Sequence, residues 1–145
     1  MPDMDEDLGP LACHCFAARQ LARHVSKIYE RHLAPVGLSS TQMTLLSFLR
    51  DLPDTTIKDL AARMVMDRTT LLRAAKPLQR DGLILGAPKA GLPRQIAFSL
   101  TPLGVSKLDQ ALPLWLAAQQ EHEARVGPEV AARLRREFLT MTGQI

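Results

Sequence analysis

Apolar residues recur at three- and four-residue steps from Leu11 through Cys15, Ala18, Ala22, Val25, Tyr29 and Leu33. That period lays one apolar stripe along a helix over residues 11–33, which Pro35 and Gly37 end. Ser39 with Gln42 has the spacing of a capping box and opens a second helix running through Leu52. Met43, Leu46 and either Phe48 or Leu49 are its inward positions, and Pro53-Asp54 breaks the chain again. Thr56, with Asp59 three residues on, caps a short helix over 57–64 whose inner side is Ile57, Leu60, Ala61 and Met64. Val65, Met66 and Asp67 make a tight connection. Asp67 caps the next helix, over about 68–80, which turns Leu71, Ala74, Ala75 and Leu78 inward. Pro77 is expected to bend that helix or weaken its later turns, and Gly82 ends it.

The period then changes from helical to two. Ile96, Phe98 and Leu100 alternate with Gln95, Ala97 and Ser99, as in a half-buried strand. Runs over 83–87 and 94–100 therefore form a β-hairpin with a six-residue tip, 88–93. Thr101-Pro102 is a helix start, with a capping hydroxyl before a proline in the first turn. A long helix follows to about Val126, with Val105, Leu108, Leu112, Trp115 and Leu116 as its apolar face and a kink expected at Pro113. Gly127-Pro128 punctuates the chain, and a last helix runs to about Met141.

This order predicts a mainly α fold with a small β-hairpin (α+β): a helix-turn-helix followed by a wing, flanked by N- and C-terminal helices. Residues 1–10, acidic at Asp3, Asp5, Glu6 and Asp7, are expected to be a disordered arm. Residues 11–145 then form one domain, with 38–101 its winged helix-turn-helix part and 11–36 with 102–145 a dimerisation part. The terminal helices are too long for so small a globule to cover, and a two-fold homodimer is the simplest way to bury their stripes.

Composition changes this picture at three points. The 145 residues are 46% hydrophobic, yet no apolar run is long enough to cross a bilayer, and the acidic start is unlike a secretory signal, so a cytoplasmic protein is expected. Two cysteines, Cys13 and Cys15, make no disulfide framework. The net charge of +3 is unevenly spread: residues 58–95 hold eight basic residues against Asp59, Asp67 and Asp81, or +5, which leaves −2 for the remainder. A local basic excess is the footprint of a phosphate-binding surface.

The second helix of such a motif enters the DNA major groove with its N-terminal residues leading. Arg68, Thr69, Thr70, Arg73, Lys76 and Arg80 are its outward positions. Among them arginine suits a bidentate grip on guanine and threonine a base edge or thymine methyl, whereas Lys76 and Arg80, further along, suit phosphates. Lys89 and Arg94 at the hairpin are placed for an adjacent minor groove. The bland alternatives are a solvated basic helix face and an ordinary exposed turn.

Gly37-Leu38-Ser39-x-x-Gln42, Leu60-Ala61, Asp67-Arg68-Thr69-Thr70-Leu71-x-Arg73, Leu78-x-x-x-Gly82-Leu83-Ile84 and Leu100-Thr101-x-x-Gly104 together resemble the MarR family over nearly the whole chain. The resemblance implies an obligate dimer that binds a palindromic operator in double-stranded DNA, usually as a repressor released by a small-molecule effector or by thiol oxidation. It also implies effector pockets between the long helix of Trp115 and the DNA-binding unit, although Trp115 by itself reads as core. The family's wing carries an Asp two residues before its Arg; Leu92 stands there in this chain.

Cys13-His14-Cys15 lies outside the DNA-binding unit. Two residues apart on a helix is about 200°, so the two thiols cannot easily bond each other or share a ligand. The peroxide-sensing branch of the resembled family has a reactive cysteine near this place with tyrosines beside it; Tyr29 matches one in spacing, and Arg19 stands where another would be. Fourteen residues of helix span roughly 21 Å, so Tyr29 meets Cys15 only across a dimer interface. The alternatives are that Cys15 is a small core residue, or that Cys13, His14 and Cys15 bind metal with His24, His32 or His122. The chain has no C-x-x-C or H-x-x-x-H pairing, so no metal or cofactor is expected. A winged-helix interaction module without DNA binding is the rival function. A small thiol oxidoreductase is disfavoured, with no C-x-x-C, no βαβ pattern and no nucleophile-base pair, and the chain is not expected to be an enzyme.

Overall fold

The computed structural model describes residues 8–145; most of the acidic segment 1–10 therefore lies outside the described residues. The first helix, α1, spans His14–Leu33, three residues shorter at its start than the stripe suggested. Pro10 instead opens a 3-10 turn, Pro10–Ala12, and Cys13 becomes the N-cap of α1, its Sγ accepting from the Phe16 amide at 3.3 Å. α2 (Ser40–Asp51) starts with a complete capping box: Ser39 Oγ accepts from the Gln42 amide at 3.1 Å, and the Ser39 amide donates to Gln42 Oε1 at 3.0 Å. α3 (Ile57–Arg63) begins at Thr56, whose hydroxyl accepts from the Asp59 amide. α4 (Arg68–Arg80) continues through Pro77, so the proline costs one backbone donor without ending the helix.

The hairpin differs from expectation in two ways. A two-residue strand, β1 (Thr55–Thr56), joins it, giving a three-stranded antiparallel sheet in the order β1-β3-β2. β2 (Ile84–Lys89) and β3 (Leu92–Leu100) are longer than the sequence runs, so the connection is only Ala90 and Gly91. Gly91 has φ +80°, a left-handed value suited to glycine. Ala97 is as buried as Phe98, because β3 is the central strand and Ala97 lies between Thr56 and Ala87.

α5 (Pro102–Val126) is uninterrupted at Pro113, and α6 (Pro128–Met141) follows Gly127. The inward face of α5 is Gly104, Leu108, Ala111 and Ala118, with Leu112 and Trp115 half-buried; Val105 and Leu116, expected inside, are exposed. Small residues let α5 lie close to its neighbours. A Cβ on Gly104 would stand 2.1 Å from the Leu83 carbonyl oxygen. One core runs from the end of α1 (Leu33) through Leu45, Leu46, Leu60, Leu71, Leu78 and Phe98 to Leu108. By contrast, Ile28 and Leu33 are the buried residues of α1, and Ala131 that of α6. No helix among the described residues is long and apolar enough to cross a membrane.

Candidate nucleic-acid interface

α3 and α4 are joined by a turn that the Leu60-to-Asp67 segment folds locally. The Val65 amide donates to the Ala62 carbonyl at 3.2 Å and the Met66 amide to the Ala61 carbonyl at 2.9 Å, a Schellman termination. Val65 holds the left-handed position with φ 52°. Asp67 then starts α4, its Oδ1 accepting from the Thr70 amide at 2.7 Å. Hydrogen bonds from Thr70 hold the Asp67 carboxyl below the usual carboxylate range.

Leu71, Ala75 and Leu78 anchor one side of α4 in the core, and Gln42 Nε2 reaches the Ala74 carbonyl from the α2 cap at 3.4 Å. The opposite side is fixed by default. Arg68, Thr69, Thr70, Arg73 and Lys76 are all exposed, and the three cations have no ion-pair partner among the described residues. Arg80, at the far end, is 3.4 Å from Asp81. A helix N-terminus already carries partial positive charge, so these side chains extend a field that attracts phosphate.

The two wing cations separate. Arg94 is exposed and unpaired among the described residues. Lys89 folds back instead: its Nζ donates to the Asp54 carbonyl at 2.7 Å and lies 4.0 Å from Asp54 Oδ2. The sequence held no signal for this contact between residues 35 positions apart. Thr55 and Thr56 are β-branched and suit a strand, but two residues alone do not mark one.

The cysteine constellation is not assembled in one chain. Cys13 and Cys15 are both exposed at the start of α1, so Cys15 is no core residue of the single subunit. Tyr29 is near the other end of the helix, and burial pushes its phenol up from the ordinary value. His32 is engaged by Glu121 at 3.0 Å. No group of three or more His, Cys, Asp and Glu among the described residues is arranged to hold a metal ion.

Two cavities adjoin at Met43, Thr44 and Trp115, where α1, α2 and α5 meet. One, about 210 Å³, is also lined by Val25, Tyr29 and Leu33. The other, about 360 Å³, is also lined by Ser47, Phe48 and Leu112. A third hollow, about 410 Å³ and largely apolar, runs between α1, α5 and α6 past Leu21, Val25, Tyr29, Val126, Leu134 and Phe138.

The MarR family model matches residues 38–85. The transcriptional regulator MosR of M. tuberculosis, solved in complex with DNA, is 34% identical, with 90% of this chain and 94% of that chain covered and a TM-score of 0.77. CouR of Rhodococcus jostii RHA1, bound to p-coumaroyl-CoA, is 17% identical over 93% of this chain and 95% of that one, with a TM-score of 0.78. BpsR of Bordetella bronchiseptica, whose DNA binding is regulated by 6-hydroxynicotinic acid, is 17% identical over 90% and 93%, with a TM-score of 0.79. At that identity the last two share the fold alone. No curated protein matches the chain.

Proposed function

The chain belongs to the MarR family, and from that membership we propose that it is a dimeric, sequence-specific regulator of transcription that binds a two-fold-symmetric site in double-stranded DNA. The observation that carries this reading is the solvent face of α4: three cations without an ion-pair partner among the described residues, and two threonines, on a helix whose other side is locked into the core. Arg68, Thr69, Thr70 and Arg73 take base edges and nearby phosphates of the major groove, Lys76 takes phosphate, and Arg94 takes the adjacent minor groove. A homodimer sets two copies of α4 about one duplex turn, roughly 34 Å, apart. The apolar hollow between α1, α5 and α6 is the surface a second subunit would cover. The protein works as a binder; family membership speaks for a regulator rather than an enzyme.

The outcome of binding is repression, relieved by a small molecule in the paired cavities around Trp115. They lie between the terminal helices and α2, where an occupant would alter the angle between the two α4 helices. Oxidation of Cys15, with Cys13 beside it and Tyr29 of the second subunit near, is the second trigger; the exposure of both thiols favours it. A band-shift titration with the duplex DNA upstream of the protein's own coding sequence tests the first claim. Affinity should fall steeply with salt. Arg73→Ala should abolish specific binding while leaving circular dichroism unchanged. Unaltered specific affinity in that variant would remove α4 from the interface. For the trigger, hydroperoxide should release DNA from the parent but not from Cys15→Ser; equal release from both leaves the cavity as the effector site.

A further inference from the structure

The ladder between β2 and β3 is regular from Ile84↔Leu100 to Pro88↔Ile96, then jumps to Lys89↔Leu92. Pro93, Arg94 and Gln95 are left without partners on β2 in that jump. Pro88 and Pro93 have no amide to donate, so regular pairing cannot be restored there. The outer part of the wing, where Arg94 emerges, is therefore poorly held by its own backbone. Lys89 lies at the edge of this gap. Its side chain reaches past the hairpin to the loop before β1, and the Nζ is only 2.7 Å from the Asp54 carbonyl oxygen. Asp54 directly precedes Thr55 and Thr56, which pair with Phe98 and Ala97 on the central strand. The contact thus joins the two outer strands of the sheet, β2 and β1, around the interrupted stretch of the central one.

We propose that Lys89 is a positioning residue of the wing: its bond to Asp54 holds the unpaired Pro93–Gln95 stretch, and with it Arg94, in the pose that meets DNA. This rests on the DNA-binding reading above. Lys89 then does not contact phosphate itself, since doing so would break the bond that orients its neighbour. The two roles leave different signatures. A phosphate-binding lysine releases counterions, so its loss flattens the dependence of log affinity on log salt by roughly 0.9 per phosphate, or about 1.8 for the two wings of a dimer. A strap that only positions lowers affinity and leaves that slope alone.

The test uses the whole protein and the duplex upstream of its coding sequence as probe. Lys89→Met keeps the aliphatic stem and removes the donor. It is expected to weaken binding by about tenfold, the cost of a loosened contact group, with the salt slope unchanged. Lys89→Arg, which still reaches the carbonyl, should restore the affinity. Without DNA, backbone order parameters at residues 90–95 should fall in Lys89→Met and recover in Lys89→Arg. A flattened slope with unchanged order parameters makes Lys89 a phosphate contact and overturns the proposal. If the parent fails to bind the duplex, the functional reading falls, yet the DNA-free measurement still decides whether the strap exists.

Discussion

The two parts of this chain solve the problem of apolar surface in opposite ways. Between Leu38 and Leu108 the molecule encloses a core of its own: Leu60, Leu71 and Leu108 are fully buried, and α3 and α4 present their charges outward, with Val65, Leu85 and Leu103 the apolar side chains left most exposed. The terminal helices do not close. Phe16 and Leu21 on α1, Val126 on α5, and Phe138 and Leu139 on α6 remain exposed, with Phe138 at 44%. The same hydrophobic physics is at work in both, but α2, α3, α4, the sheet and the start of α5 pack around the middle, whereas α6 packs mainly against α5. A closed middle part is thus attached to an unfinished surface, which in the proposed dimer a second copy completes.

That contrast breaks most sharply at Gly104, where the two parts touch. The Thr101 amide donates to the Leu83 carbonyl, and the Thr101 hydroxyl both donates to the Gly82 carbonyl at 2.6 Å and accepts from the Gly104 amide. A methyl group 2.1 Å from the Leu83 oxygen must push α5 off the wing. Gly104→Ala should cost about 3 kcal/mol by denaturant unfolding, at the upper end of overpacking penalties. A loss under about 1 kcal/mol would mean that α5 shifts freely. Phe138→Asp is the complementary cut. It should leave the secondary structure intact and raise the dimer dissociation constant roughly thirtyfold, because about 1 kcal/mol of burial is lost in each of two copies. Sedimentation velocity measures this, and an unchanged monomer–dimer balance would place the interface elsewhere.

What the sequence disclosed follows the range of the forces. Caps act over three residues, and Ser39, Thr56, Asp67 and Thr101 all fulfil the roles their spacing implied. The outward face of α4 was legible for the same reason, since helical period alone separates Arg73 from Leu71 and Ala75. β1 was not, because two residues become a strand only when Phe98 and Ala97 arrive from 43 and 41 residues away. The inner face of α5 was misread toward Val105 and Leu116, because the residues that decide it, Gly104, Ala111 and Ala118, are chosen for smallness and give little hydropathic signal. The paired cavities draw on three helices distant in sequence, and no local pattern marks them.

A smaller effect tests how well the middle is optimised. α3 and α4 both end in Schellman turns: Gly82 amide to Gln79 carbonyl and Leu83 amide to Leu78 carbonyl match the bonds made by Val65 and Met66. Gly82 occupies the left-handed position at φ 73° without strain, whereas Val65 occupies it with a β-branched side chain that is 67% exposed. Strain of that kind costs on the order of 1–3 kcal/mol, against about 0.4–1 kcal/mol of added unfolded-state freedom for glycine. Val65→Gly should therefore stabilise the protein by about 1 kcal/mol and raise Tm by about 2–4 °C. A lowered Tm would show that the Val65 side chain makes stabilising contacts of its own, as in the proposed dimer.

The smallest effect lies on the seam between the two parts. Glu121 on α5 receives two hydrogen bonds from Arg31 at 2.6 and 2.7 Å, faces His32 at 3.0 Å and has Arg125 at 3.1 Å, so one carboxylate joins α1 to α5. The bonds from Arg31, then the bond with His32, pull its pKa down to about 2. A carboxyl depressed on folding stabilises the native state only while ionised: the contribution is complete above its ordinary value near 4.5 and is lost as pH falls towards 2. Glu121→Gln should thus melt slightly below the parent from pH 5 to 7, with the gap closing between about pH 4.5 and 2. Salt should narrow it too, because the cluster is partly open to solvent. A gap that stays constant over this range would mean that Glu121 joins the helices by shape rather than charge, and that the two parts of the chain are coupled through apolar packing alone.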